Sequence, residues 1–75
     1  NISLAPNPAT TTLFVGGSTP VSRIQLFALS GELVRDHELV GTGTTLNISD
    51  CSIGTYIVRL YTPHGVVSKV LSITR

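Results

Sequence analysis

Apolar and polar residues alternate along much of this chain. Within Ser22–Leu29, Ile24, Leu26 and Ala28 fall on one face, and Arg23, Gln25 and Phe27 on the other. Within Thr55–Thr62, Tyr56, Val58 and Leu60 alternate with Ile57, Arg59 and Tyr61. A period of two is the mark of a strand with one face in a core. No window repeats apolar residues at three and four over a helical length, so no helix is predicted. Pro6, Pro8, Gly16-Gly17, Pro20, Ser30-Gly31, Gly41, Gly43, Gly54, Pro63 and Gly65 break the chain into short runs rich in Val, Ile, Leu and Thr. The predicted strands are Ile2–Leu4, Thr11–Val15, Ser22–Leu29, Leu33–Val40, Thr44–Ile48, Thr55–Thr62 and Val66–Thr74. Short strands at this spacing predict an all-β fold, a small seven-stranded antiparallel β-sandwich of immunoglobulin-like type.

Two details bear on function. The outward set is not cleanly polar, because Phe27, Ile57 and Tyr61 belong to it. These residues are candidates for contact with a preceding domain or a partner. The final run is harder to orient. Val67, Leu71 and Ile73 share a face with Lys69, whereas Val70 lies with Ser68 and Ser72. A β-bulge is one way to reconcile the two sets. Ser30-Gly31 and His64-Gly65 are hairpin turn signals.

At 75 residues the chain makes one domain. It is 41% hydrophobic and only 12% charged, with a mean hydropathy of +0.36. That is too apolar for a disordered tail and poor in charge for a small free-standing protein. The chain has no Met. It is therefore expected to be a fragment or processed product of a larger protein. The net charge of +1 leaves no electrostatic footprint for nucleic acid or an anionic membrane. No apolar run approaches the ~20 residues of a membrane-spanning helix. The single cysteine, Cys51, has no internal partner and reads as a small buried hydrophobe, the other reading being a reactive or intermolecular thiol.

Catalytic chemistry finds little to work with. There is no Gly-x-Ser-x-Gly elbow. His37 lies between Asp36 and Glu38, and His64 lies in a turn. Neither has the nucleophile and orienting group that a catalytic base needs. Two isolated histidines and one cysteine do not make a zinc site. No enzyme activity, metal or cofactor is expected.

Four short patterns occur in fixed order. Pro6-Asn7-Pro8-Ala9 opens the chain and leads to Leu13 and Val15. Ile24, Leu26 and Phe27 run into Gly31 and then Leu33 and Val34. Gly54, Tyr56, Ile57, Val58, Arg59 and Leu60 form a third block. Lys69, Val70, Leu71, Ile73 and Arg75 close the sequence. Two prolines stiffen the opening segment, so that block also reads as a structural corner.

In this order the blocks resemble the C-terminal sorting domain of the type IX secretion system, along the whole chain. The chain departs from that pattern at Ala5, Thr11, Ala28 and Glu32, where the family often has an aromatic, an Asp, an Asp and a basic residue. The resemblance implies a sorting domain at the C-terminus of a larger secreted protein of a Gram-negative bacterium. It implies a cargo in the periplasm, read by an outer-membrane translocon and sent to the cell surface or beyond. In many such cargoes a sortase removes the domain and joins the cargo to anionic lipopolysaccharide. Some members instead keep the domain within a surface attachment complex. The candidate recognition element is the terminal strand, with Lys69, Val70, Leu71, Ile73 and Arg75. The family motif positions are Pro6, Asn7, Pro8, Gly31, Gly54, Tyr56, Val58 and Arg59. An edge strand there can add to a partner's sheet or pair with a second copy, which makes a homodimer a further expectation. The rival reading is an accessory structural or carbohydrate-binding sandwich on a secreted protein. It is weakened by the absence of Trp and by only four aromatic residues, Phe14, Phe27, Tyr56 and Tyr61.

Overall fold

A computed structural model describes residues 2–6 and 9–74. Asn7, Pro8 and Arg75, three of the predicted motif and recognition positions, lie outside the described residues. The described residues form seven strands and no helix: β1 (Ile2–Ala5), β2 (Thr12–Gly17), β3 (Arg23–Ala28), β4 (Leu33–Glu38), β5 (Thr44–Asn47), β6 (Gly54–Thr62) and β7 (Gly65–Ile73). Two antiparallel sheets, ordered β1-β2-β5 and β4-β3-β6-β7, lie face to face as a small β-sandwich.

The alternation builds the core as expected. Leu13 and Val15 of β2 and Leu46 of β5 meet Ile24 and Leu26 of β3, Tyr56, Val58 and Leu60 of β6, and Leu71 and Ile73 of β7. Ile48 and Cys51 close the core beside β5. No buried polar or charged residue occurs among the described residues, so hydrophobic burial is the main favourable term. Cys51 is buried, in keeping with a packing role.

Several sequence expectations shift, among them that β2 runs on through Gly16-Gly17, which pair with Ser3 and Ile2 instead of breaking the strand. The fourth strand ends at Glu38 rather than Val40: Leu39 still donates its N–H to the Ser22 carbonyl, but the chain bends at Val40, whose side chain projects fully into solvent. The third strand is shorter by one residue at each end. The seventh strand carries no bulge: its nine pairs with β6 run unbroken from Gly54↔Ile73 to Thr62↔Gly65. The mixed pattern has a simpler cause. Val67 and Lys69 do share the inward face with Leu71 and Ile73, but they lie where the opposite sheet no longer covers them fully. The irregularity is instead between β3 and β4, where the register shifts after Leu26.

Both predicted hairpins form, each with its turn one residue earlier than the expected pair: the Gly31 N–H donates to the Ala28 carbonyl, and Gly65 already pairs with Thr62. Gly31 has a φ of 98°, a left-handed value that only glycine adopts without strain. Between β6 and β7 the two-residue turn Pro63-His64 is tied by Thr62, whose hydroxyl donates to the Gly65 carbonyl at 2.8 Å.

Candidate functional site

The sequence blocks, far apart along the chain, meet at one end of the sandwich. Ala9, which follows the proline box, pairs in parallel with Ile73. Its N–H donates to the Ser72 carbonyl at 2.8 Å, and the Thr74 N–H donates back to the Ala9 carbonyl at 2.8 Å. On the other side of Ile73 lies Gly54, its direct partner on β6. Two residues along, Tyr56 sits between Ala28 of β3 and Leu71 of β7. Its ring is buried and its hydroxyl donates to the Ser52 carbonyl at 2.6 Å. Of the motif positions, Gly54 and Tyr56 therefore lie at this end of the larger sheet, whereas Val58 and Arg59 lie mid-strand in β6. Pattern reasoning missed the Ala9 bridge, since a single small residue beside two prolines carries no strand signal.

The recognition candidates on β7 divide by face. Leu71 and Ile73 are buried and complete the core. The Val70 side chain is 59% exposed on the outward face. Lys69 is half-buried at the seam between the sheets. There it lines a cleft of about 420 Å³ with Val70 and with Ile2, Ser3 and Leu4 of β1. Among the described residues Lys69 makes no ion pair.

The backbone of β7 is the outermost in its sheet among the described strands. The hydrogen bonds to Ala9 show that Ser72 and Thr74 aim backbone groups away from β6. Alternation along the strand gives Val66 and Ser68 the same orientation. Ala9 thus covers the C-terminal end of this edge, while the stretch around Val66–Ser68 borders solvent.

The opposite edge, β4, carries Arg35, Asp36, His37 and Glu38. Asp36 accepts two hydrogen bonds from Arg23 of β3, at 2.7 and 2.8 Å. Glu38 is a further contact of Arg23 at 3.4 Å. The hydrogen bond from Arg23 holds the Asp36 carboxyl below its ordinary range, with partial burial opposing it. The same hydrogen bond holds the Arg23 guanidinium above its ordinary range. Arg35 is ion-paired to Asp50. His37 and His64 are both exposed, one on this edge and one in the β6–β7 turn.

The outward face of the larger sheet places Arg59 between two rings. Its guanidinium carbon lies 6.0 Å from the centre of Phe27 and 5.9 Å from that of Tyr61. The Tyr61 hydroxyl donates to Gln25 Oε1 at 2.6 Å. The period of two assigns these residues to one face. Their meeting depends on the β3–β6 register, which joins residues more than thirty positions apart and cannot be read locally.

In comparison with known proteins, residues 3–74 match the family described as the secretion system C-terminal sorting domain. No curated protein and no solved structure matches the chain.

Proposed function

Because this chain belongs to the secretion system C-terminal sorting domain family, we propose that it is the type IX export address of a larger secreted protein, read as a folded sandwich by an outer-membrane translocon. A sorting-signal family is not an enzyme family, and the chain's role is recognition. The family match over nearly the whole chain carries this reading. The geometry supplies a means. The β7 edge lies at the margin of its sheet, is long, and has a single charge, Lys69. A partner strand laid beside Val66–Ser68 gains main-chain hydrogen bonds, and the seam cleft beside Lys69 offers room for alternate side chains. The same edge pairs two copies of the domain when no other strand occupies it. After export, removal by a sortase with transfer of the cargo to anionic lipopolysaccharide, or retention in a surface complex, is the expected fate.

The test is export of a reporter. Residues 1–75 are fused to the C-terminus of a fluorescent protein behind a signal peptide. The fusion is expressed in a host with a type IX system and in a translocon-deficient strain. Fluorescence at the surface or in the medium of the competent host alone is the expected result, and reporter size reports cleavage. Folded, intact reporter held in the periplasm of both hosts rejects the proposal.

A further inference from the structure

The two outward faces of the sandwich differ in kind. On the smaller sheet, Ser3, Ala5, Thr12, Thr45 and Asn47 are exposed, with Phe14 the one large apolar side chain. On the larger sheet an apolar row crosses all four strands. Leu33 pairs with Phe27, Phe27 with Ile57, and Ile57 with Val70. Leu33 and Val70, at the two ends, are 45% and 59% exposed. Such a row on a domain this short of charge is the kind of patch that marks an interaction surface.

The middle of this face is cationic. Arg59 stands one step from the row, against the Phe27 and Tyr61 rings. The other arginine of the face, Arg23, is already bound by Asp36 and Glu38. Among the described residues Arg59 makes no ion pair with a carboxylate. Both flanking rings are fixed from elsewhere. Phe27 lies between Leu33 and Ile57 in its row, and Tyr61 is tethered to Gln25. The guanidinium is therefore pre-oriented, with its donor edges available to a planar acceptor, and little side-chain entropy is left to lose on binding.

We propose that Arg59 and the Leu33–Phe27–Ile57–Val70 row form a docking surface for an acidic, apolar-flanked segment of a translocon protein. The Asp or Glu carboxylate of that segment accepts a bidentate pair of hydrogen bonds from Arg59, and its neighbours cover the row. Charge complementarity selects this occupant, since an aromatic-flanked arginine without a carboxylate calls for one. Closure over the apolar row removes water from the ion pair and strengthens it. Aromatic residues with arginine at the centre of a patch are also the usual anchors of interfaces. This inference rests on the sorting-signal reading and adds the face and chemistry by which the signal is read.

The test uses the reporter fusion with Arg59→Glu, Arg59→Gln and Arg59→Lys. Arg59 is exposed, so all three are expected to fold, and melting of each purified domain checks that. Charge reversal is expected to lower export about tenfold or more, and the neutral variant less. Arg59→Lys retains partial export and places an amine where a carbodiimide joins amines to carboxylates. Mass spectrometry is expected to find residue 59 of that variant coupled to an Asp or Glu of a translocon polypeptide. Retention of the unsubstituted fusion in the periplasm removes the sorting reading and this surface with it. Export of that fusion alongside equal export of Arg59→Glu overturns the surface alone. So does loss of export in Arg59→Glu with no protein coupling and with lost binding to anionic lipopolysaccharide vesicles, which assigns Arg59 to a glycan.

Discussion

The two outer strands of the larger sheet meet the same problem and answer it differently. An edge strand exposes backbone donors and acceptors to any strand that comes by. On β4 the exposure is blunted. The strand has six residues, four of them titratable, and the register shift after Leu26 breaks its regularity. Asp36 and Glu38 are held across it by Arg23, and Arg35 is held by Asp50. On β7 there are nine residues in unbroken register and one charge. Among the described residues the bridge from Ala9 covers its C-terminal end, and the stretch around Val66–Ser68 borders solvent. One sheet thus has a guarded edge and an open one. An unguarded edge is a liability unless it has a use, and the use proposed for this one is recognition by the translocon.

The largest expected effects come from the inward face of β7 and its partner on β6, which β4 does not match with a fully buried residue. Leu71→Ala deletes a buried side chain and is expected to cost about 2–5 kcal/mol. Tyr56→Ala, beside it, is expected to cost about 3–5 kcal/mol. Urea unfolding followed by circular dichroism measures both. An unchanged midpoint for either variant shows that the residue is not part of the core.

A subtler pair of substitutions separates the edges themselves. Ser68→Pro and Glu38→Pro each remove one N–H from an outer strand. In both cases the N–H points away from the neighbouring strand, as the Ala9 bonds imply for β7 and the Leu39-to-Ser22 bond implies for β4. Each is expected to change stability by less than about 1 kcal/mol. Ser68→Pro is expected to lower reporter export several-fold and to weaken any self-association seen by sedimentation, since a paired strand loses a hydrogen bond worth about 1 kcal/mol. Glu38→Pro is expected to leave export unchanged. Equal export by the two variants removes the distinction between the edges.

The strands themselves were legible in the residues. Alternation in Ile24–Ala28 and Tyr56–Tyr61, with Gly31 and Gly65 closing the turns that follow, marks β3, β6 and their hairpins. That information is local, and hairpin pairing is local too. What stayed hidden depends on pairs distant in sequence. Ala9 meets Ile73, Arg35 meets Asp50, and Arg59 meets Phe27 only once the sheets have assembled. The face of β7 was ambiguous for a related reason. Val67 and Lys69 sit on the inward side, but how far the opposing sheet extends over them is a property of the whole sandwich. The motif blocks were visible as words, while their convergence around Ile73, Gly54 and Tyr56 was not.

The smallest expected effect sharpens what guards β4. Asp36 is held below its ordinary value of 3.8 by the Arg23 hydrogen bond, so its deprotonated form binds better in the folded state than in the unfolded chain. A depressed carboxylate contributes stability that is complete above its unfolded value. That contribution disappears as pH falls through the lower folded value. Both side chains face solvent, so the effect is modest and weakens with added salt. Asp36→Asn is expected to lower the melting temperature slightly at neutral pH and to make no difference once pH is well below 3.8. Melting curves of the two proteins between neutral and strongly acidic pH measure this convergence. A gap of constant size across that range means that Asp36 acts through shape rather than charge, and that the guard on β4 is the register shift instead of the ion pair.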